Sequence, residues 1–222
     1  MPHQHALIVF IDNSPFGGHA LIEELGTERT LMIQRTLNQI THSIIEQLPY
    51  TKILFYSDFI DYSDNWDNNL YNKQLQQGKD MGERMKNAFE YAFELEETPI
   101  KQACIVWGNV TELTIWHLTK SYYALDTHDY VLGPINNGSY YLLGMKRLHT
   151  EVFKDKQWDS PNLIRLTCDE MHEQRKSYYL LPYLSNINSV ANFTPQFAKL
   201  LEDMGILSVA EQEKIKNKQE QG

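Results

Sequence analysis

The sequence predicts an α/β fold built on a parallel or mostly parallel sheet with helices on both faces. Short apolar runs, rich in β-branched and aromatic residues, alternate along the chain with longer stretches in which apolar residues recur at helical spacing. The chain has 222 residues, of which 42% are hydrophobic and 12% aromatic, as in ordinary globular proteins. This length is enough for one domain to bury a sizeable core without disulfides.

The apolar runs are too short for helices and are predicted to be buried strands. They cover residues 6–11, 52–56, 103–107, 130–132 and 140–145. Residues 177–181 are a further strand candidate, because they are rich in tyrosine and leucine and are followed by Pro182.

Helical spacing is found between these runs, at residues 27–47, 81–95 and 113–123, and again at residues 194–203. The polar stretch 58–72 is predicted to be one long loop. Residues 209–222 are dense in Glu, Lys and Gln, which is typical of a solvated helix or a frayed tail. We therefore expect one α/β domain over residues 1–205 and a charged C-terminal helix or tail over residues 206–222.

Charge and composition exclude several classes of partner. The formal net charge is −9, from 20 basic and 29 acidic side chains, so we expect no surface for nucleic acid. The N-terminal apolar run ends at Asp12 and is too short for a signal sequence or a membrane span. Cys104 and Cys168 lack paired spacing, and two free thiols fit a reducing compartment. We expect a cytoplasmic protein without a membrane partner; the sequence leaves its oligomeric state open.

In an open α/β sheet, the loops that follow the carboxyl ends of the strands form the ligand crevice. Those loops are residues 12–25, 57–77, 108–112, 133–139 and, less directly, 185–192. Any functional residues are therefore expected in these segments.

Several of these loops contain, in order, motifs that resemble one family. Residues 76–89 (QQGKDMGERMKNAF) are similar to Q-x-x-G-x-L-G-E-R-M, and residues 108–114 (GNVTELT) to G-x-D-x-P-x-L-T. Residues 129–145 (DYVLGPINNGSYYLLGM) resemble D-x-V-L-G-P-x-x-D-G-G-Y-Y-L-I-G-L, and residues 181–193 (LPYLSNINSVANF) resemble L-P-x-L-x-D-I-D-T-x-x-D-L. One such string is a weak signal, but several in order are specific.

These motifs are those of a bacterial glycosyltransferase-like family of unassigned function, related to the molybdenum-cofactor and phospholactate guanylyltransferases. The resemblance implies a Rossmann-like, three-layer GT-A fold, that of the nucleotide-diphospho-sugar transferases. It also implies a nucleotide or nucleotide-sugar ligand, and Mg²⁺ or Mn²⁺ in an active enzyme. The implied nucleotide-binding positions are Phe10, Gly17, Gly18, Arg84, Gly108 and Asn109. The implied acceptor-side positions are Gly138, Ser139 and Tyr140.

The acidic positions of the family motifs have become neutral amides in this chain. Asn109, Asn186 and Asn188 fall on the implied metal ligands, and Asn137 falls on the implied catalytic acid of D-G-G-Y. The last Asp of the motif L-P-x-L-x-D-I-D-T-x-x-D-L falls on Asn192. An amide keeps the shape and one carbonyl oxygen, but it has no charge and is never a general base. A single Asn in a loop is ordinary, because Asn favours turns; five at such positions are not.

The loop after the first strand shows a matching loss of positive charge. The family there resembles P-x-P-G-x-V-K-T-R-L, whose Lys and Arg suit a nucleotide phosphate. In this sequence Gly18 falls on the Lys position and Ala20 on the Arg position. Backbone N–H groups around Gly17 and Gly18 still suit an anion at the start of a helix.

Three hypotheses follow, and the sequence alone does not decide whether the chain is an enzyme. The first is an active glycosyl- or nucleotidyltransferase that uses Asn ligands or needs no metal. The second, which we favour, is a transferase-like protein with weakened or lost metal-dependent catalysis, which implies no bound cofactor. The third is an unrelated activity that uses Asp58, Asp61 or Asp64 in the long loop.

Overall fold

A computed structural model describes residues 4–14, 19–96 and 99–213. Its sheet is built from the strands His5–Ile11 (β1), Thr51–Tyr56 (β2), Asn72–Leu75 (β3), Gln102–Trp107 (β4), Tyr130–Pro134 (β5), Tyr140–Met145 (β6) and Tyr178–Leu180 (β7). The strand order is β3-β2-β1-β4-β6-β5-β7. All neighbouring pairs are parallel except those that involve β6, which is antiparallel to both β4 and β5. The predicted mostly parallel sheet is therefore confirmed.

The helices between the strands are His19–Leu25 (α1), Thr27–Ile45 (α2), Met81–Phe93 (α3), Ile115–Thr127 (α4), Leu163–Glu173 (α5) and Pro195–Asp203 (α6). Short 3₁₀ turns occur at Thr150–Phe153 and Val190–Asn192. Two helix starts have clear side-chain caps, because Asp80 accepts a hydrogen bond from Glu83 N and Thr194 accepts one from Phe197 N.

Side chains alternate between the two faces of the sheet, and each face has its own core. Leu7, Val9 and Ile11 of β1 pack in a cluster with residues of α2 and α4. Ala6 and Ile8 pack on the opposite face with residues of α3 and α5. The protein therefore has three layers, helix, sheet and helix. A third cluster joins α1, α2 and α6 at one side.

Three elements were not predicted from the sequence. Helix α1 lies within residues 12–25, which are predicted to be a loop. Strand β3 begins at the last residue of the predicted loop, and its sequence NKQL lacks the apolar run that signals a buried strand, since β3 lies at the edge of the sheet. Helix α5 was not predicted either. Its buried residues Leu163, Ile164, Thr167 and Met171 do have helical spacing, so the periodicity was present but was not used.

The C-terminal boundary remains a prediction. Ile206 and Leu207 are buried in the third cluster, beside α6, and residues 209–213 are helical. Arg29 of α2 forms an ion pair with Glu211 at 2.8 Å. Within the described ranges, no helix combines the length and the apolar character needed to cross a bilayer.

Candidate functional site

The candidate site lies at the edge of the sheet where the parallel strands end. Strands β1, β2 and β4 run in the same direction and end at Ile11, Tyr56 and Trp107. Strands β5 and β7 run in this direction too, because β5 is antiparallel to β6, which is itself antiparallel to β4. The loops that follow all five strands therefore meet at one edge, as the crevice rule predicts.

Two adjoining cavities open at this edge. The larger, which we call the Arg84 cleft, has a volume of about 600 Å³ and contains the predicted site residues Phe10, Arg84, Gly108, Asn109 and Asn188. The smaller, which we call the Tyr140 cavity, has a volume of about 300 Å³ and is lined by the predicted residues Asn109, Asn137, Ser139, Tyr140 and Asn186. Met81, Trp107 and Asn109 line both.

The amides thus lie close together in space although they are far apart in sequence. Asn109 borders both cavities, Asn137 and Asn186 border the smaller one, and Asn188 borders the larger one. Asn192 does not line either cavity. It ends a 3₁₀ turn, where its Oδ1 accepts a hydrogen bond from Ser189 Oγ at 2.8 Å.

Backbone hydrogen bonds hold the loops of the two cavities together. Ile187 N donates to Asn109 O at 2.8 Å, which joins the loop after β7 to the loop after β4. Asn136 N donates to Leu184 O at 3.2 Å, and its side-chain Nδ2 donates to Ser185 Oγ at 3.1 Å. The relative positions of Asn109, Asn137 and Asn186 are therefore fixed by the backbone.

Arg84 is the only Lys or Arg among the described residues that line the Arg84 cleft. It lies in the first turn of α3, where the partial positive charge of the helix N-terminus adds to its own. Its Nε donates a long hydrogen bond of 3.4 Å to Gly78 O, and it forms no ion pair within the described part of the chain. The guanidinium is therefore available to an anion.

Gly138 has a structural role in the Tyr140 cavity. Its φ is +90°, and a Cβ placed there would lie 1.6 Å from the carbonyl oxygen of Pro161. Its own carbonyl accepts a hydrogen bond from Ile164 N at 2.8 Å, at the start of α5. Beside it, Asn137 Oδ1 accepts a hydrogen bond from Ser139 N at 3.1 Å, an arrangement typical of an Asn turn.

The hydroxyl of Tyr140 is the most unusual polar group at the site. Tyr140 is 5% exposed, and its Oη is buried without a hydrogen-bond partner in the described structure. Burial raises the pKa of this phenol far above its usual value, so the hydroxyl stays neutral and keeps its proton. An unpaired buried hydroxyl lowers the free energy of unfolding by about 1–3 kcal/mol, which is why such groups are rare in folded proteins.

Carboxylates lie on the other side of the Arg84 cleft. Asp12, directly after β1, and Asp58, directly after β2, both line it. Asp12 Oδ1 accepts hydrogen bonds from Ser57 Oγ at 3.0 Å and Ser14 N at 3.2 Å. Asp12 was not among the predicted site residues, although its position after the first strand was a sufficient signal.

The three acids of the third hypothesis line a cavity of about 500 Å³ next to α2. This cavity adjoins the Arg84 cleft, since Asp12 and Asp58 line both. Asp64 is already paired, because Lys73 Nζ lies 2.8 Å from its Oδ1 and Tyr56 Oη donates to its Oδ2 at 2.5 Å. A hydrogen bond from Ser63 holds the pKa of Asp61 below its usual value. These contacts explain Asp61 and Asp64 as structural partners within the loop.

The amides at this edge do not fit the role of ligands to a tightly held divalent metal. Mg²⁺ and Mn²⁺ prefer hard anionic oxygens, whereas Asn109, Asn186 and Asn188 supply neutral ones. Asp12 and Asp58 are the two carboxylates among the described residues that line the Arg84 cleft. Among residues 4–14, 19–96 and 99–213, no group of three or more His, Cys, Asp or Glu side chains could hold a metal ion. Gly17 and Gly18, which are predicted to bind an anion, lie outside the described residues.

Comparison with known proteins identifies the family. Residues 41–160, just over half of the chain, match the model of a family described as an uncharacterized protein conserved in bacteria (DUF2064). The chain belongs to this family. No curated protein sequence is significantly similar to it.

Solved structures share the fold. A candidate nucleotide-diphospho-sugar transferase from Desulfovibrio desulfuricans G20 is 19% identical with a TM-score of 0.78, over 92% of this chain and 96% of that one. The 4-diphosphocytidyl-2C-methyl-D-erythritol synthase of Anaerococcus prevotii DSM 20548 is 9% identical with a TM-score of 0.51, over 86% and 89%. A cytidylyltransferase from Leptospira borgpetersenii is 9% identical with a TM-score of 0.50, over 99% and 96%.

At these identities the likeness establishes the fold. This chain has the three-layer α/β/α fold of the nucleotide-diphospho-sugar transferases, as the sequence motifs predict. The resemblance to a glycosyltransferase-like family of unassigned function is likewise confirmed.

Proposed function

We propose that this protein binds a nucleotide or nucleotide-sugar in the Arg84 cleft without a tightly held divalent metal, and that metal-dependent group transfer is weakened or lost. One observation carries the proposal: Arg84 shares a cleft with Asn109 and Asn188, the amides at the implied metal-ligand positions. The similar structures named above add that this fold serves nucleotide-sugar and cytidylyl transfer in other proteins.

Arg84 is the group in the cleft that favours binding of a phosphate. It supplies a fork of N–H donors for phosphate oxygens. Aromatic surface from Trp107 lies nearby for a base or sugar ring. The amides at positions 109 and 188 add no negative charge for a metal ion, so Asp12 and Asp58 are the only carboxylates among the described residues that line the cleft.

Calorimetric titration with ADP, CDP, GDP and UDP, each with Mn²⁺ and with EDTA, tests this proposal. We expect at least one nucleoside diphosphate to bind with an affinity that Mn²⁺ changes less than about threefold. The Arg84→Gln variant should bind it at least about tenfold more weakly, because a hydrogen bond to a charged group contributes about 1.5–3 kcal/mol. Absence of binding by all four nucleotides would overturn the proposal.

Arg165→Gln is the matched control. Arg165 is an exposed arginine on α5 that pairs with Asp169 at 3.0 Å, so its loss should leave nucleotide affinity unchanged. Combining Asn109→Asp with Asn188→Asp should make nucleotide binding dependent on Mn²⁺, since four carboxylates would then line the cleft instead of two. Strong Mn²⁺ dependence of the unaltered protein would instead favour an active, metal-dependent transferase.

A further inference from the structure

Strand β7 leaves one edge of the described sheet open. It is last in the strand order, and its one partner strand is β5. Leu180 in this strand is 41% exposed, and Tyr183, three residues further along, is 59% exposed. The opposite outer strand, β3, has the mostly polar sequence NKQL. An open edge that carries apolar side chains is a template for pairing with another strand.

Two backbone N–H groups of β7 point away from the sheet. In the parallel ladder with β5, the carbonyl of Ser177 accepts a hydrogen bond at 3.1 Å and Leu181 N donates one at 2.8 Å. Alternate residues of a strand direct their backbone groups to the same side, so those of Tyr178 and Leu180 face outward. Neither N–H donates a hydrogen bond within the described part of the chain.

The flanking residues limit pairing to these two positions. The next outward positions, in steps of two, are Lys176 before the strand and Pro182 after it. Lys176 N already donates to Met171 O at 2.8 Å, and Pro182 has no N–H. Between residues 176 and 182, the donors that face outward without a partner are therefore those of Tyr178 and Leu180. A pair of such groups, placed symmetrically about the residue between them, is complementary to itself.

A second copy of the chain fits this edge in one antiparallel register. With Tyr179 opposite the partner's Tyr179, Tyr178 lies opposite the partner's Leu180, and the two-fold axis repeats this pair. Each is a hydrogen-bonded pair that exchanges both N–H···O bonds. The two Tyr179 rings form the central pair, and aromatic pairs across strands are favourable. Lys176 then lies opposite the partner's Pro182, so no further N–H needs an acceptor.

Charged groups at the two ends of the edge favour the same antiparallel arrangement. Arg175, before the strand, forms no ion pair with the described residues. After the strand, the Glu112 carboxylate accepts a hydrogen bond from Ser185 N at 2.8 Å and has no cationic partner in the described ranges either. The register places Arg175 opposite the partner's Tyr183, two residues or roughly 7 Å from the partner's Ser185. An arginine there can stack on the tyrosine ring and approach the carboxylate.

We infer that two copies of this chain associate through β7, by antiparallel pairing about Tyr179 that joins the two sheets into one. The interface is separate from the proposed nucleotide site, because none of residues 175–183 lines the Arg84 cleft. Association of the two copies therefore does not depend on the proposed function, and either can fail without the other.

Sedimentation velocity of the full chain, from low to high micromolar concentration, tests the association. We expect the dimer fraction to rise with concentration. Amide hydrogen exchange measured by NMR then locates the interface, because the N–H groups of Tyr178 and Leu180 should exchange more slowly as the dimer forms. A monomer at every concentration, or a dimer in which both amides still exchange fast, would overturn the inference.

Two proline variants separate the interface from the fold. Leu180→Pro removes an outward N–H without removing a bond to β5, and the two-fold axis removes it twice, so association should weaken at least about tenfold. Leu75→Pro is the matched control on the opposite outer strand. Because Gln76 N donates to Tyr56 O, Leu75 N also faces away from the sheet. This variant should associate as the unaltered protein does.

A charge reversal gives a readout that does not alter the backbone. Arg175→Glu should weaken association, because it places two carboxylates near each other across the interface. Combining it with Glu112→Arg should restore association, since the opposite charges then face each other again. Circular dichroism confirms that each variant is folded. Association that neither Leu180→Pro nor Arg175→Glu weakens would overturn the inference.

Discussion

Replacing Gly138 with alanine should test whether this glycine serves the fold or the ligand. A positive φ costs a non-glycine residue about 1–2 kcal/mol. The added Cβ would also lie 1.6 Å from Pro161 O, and this atom belongs to backbone that cannot rotate away. The segment would have to separate from the start of α5 and lose the hydrogen bond between Ile164 N and Gly138 O. With overpacking at about 1–3 kcal/mol and the lost hydrogen bond at about 1 kcal/mol, we expect a total loss of about 3–6 kcal/mol.

Gly205→Ala is the matched control, because it shares the backbone cost but not the collision. Its φ is +72°, and a Cβ there would meet no atom within 4 Å. We expect a loss of about 1–2 kcal/mol from the backbone conformation alone. For a chain of this size, 1 kcal/mol shifts Tm by about 2–4 °C.

The assay is urea and thermal unfolding followed by circular dichroism. Gly138→Ala should lower Tm by roughly 6–24 °C and Gly205→Ala by roughly 2–8 °C. Equal losses in the two variants would refute the reasoning, since the contact with Pro161 would then have no energetic consequence. A Gly138→Ala protein of unaltered stability that no longer binds a ligand would show instead that the glycine serves the site directly.

Two further predictions concern charged groups away from the proposed site. Asp64→Asn should destabilise the protein by about 3 kcal/mol in urea unfolding, because it leaves the Lys73 ammonium, whose side chain is 3% exposed, without its counter-ion. The control Asp58→Asn breaks no ion pair within the described residues and should change stability by less than about 0.5 kcal/mol. Equal effects of the two substitutions would contradict the argument. Glu211 accepts hydrogen bonds from the backbone and hydroxyl of Ser208 and pairs with Arg29, which lowers its pKa to about 2. Because the folded pKa lies below the unfolded value of about 4.3, its stabilising contribution is present above that value and is lost as pH falls towards 2. Glu211→Gln should therefore make the free energy of unfolding fall less steeply between about pH 5 and 2. At neutral pH the substitution should lower the free energy of unfolding by no more than about 1 kcal/mol. An unchanged pH profile would contradict the assignment of this pH dependence to Glu211.

The strands of the buried sheet were predictable because their burial is visible in the sequence. The central strands are flanked by helices on both faces, so they appear as continuous apolar runs such as residues 6–11 and 140–145. Edge strand β3 was not predictable in this way, because NKQL carries no apolar run. The ordered motifs then supplied the fold family, which strand and helix patterns alone do not specify.

The candidate site was predictable only in part. The rule that loops after parallel strands converge placed residues 109, 137, 186 and 188 at one edge, and the structure brings them into two adjoining cavities. The division into two cavities of different charge was not predictable, because it depends on which side chains from α3 and α5 face which loop. Asp12 was overlooked, although it directly follows the first strand and its loop belongs to the crevice that the rule predicts.

The residues that border both cavities indicate what the site lacks for catalysis. Met81, Trp107 and Asn109 line both the Arg84 cleft and the Tyr140 cavity. None of these three side chains carries a charge, and the amide of Asn109 neither removes a proton from a hydroxyl nor neutralises a developing phosphate charge as a metal would. A nucleotide in the Arg84 cleft would therefore be held without the chemistry that transfers a group from it. This is why we expect nucleotide binding to be measurable, whereas turnover should be slow until acids are restored at positions 109 and 188.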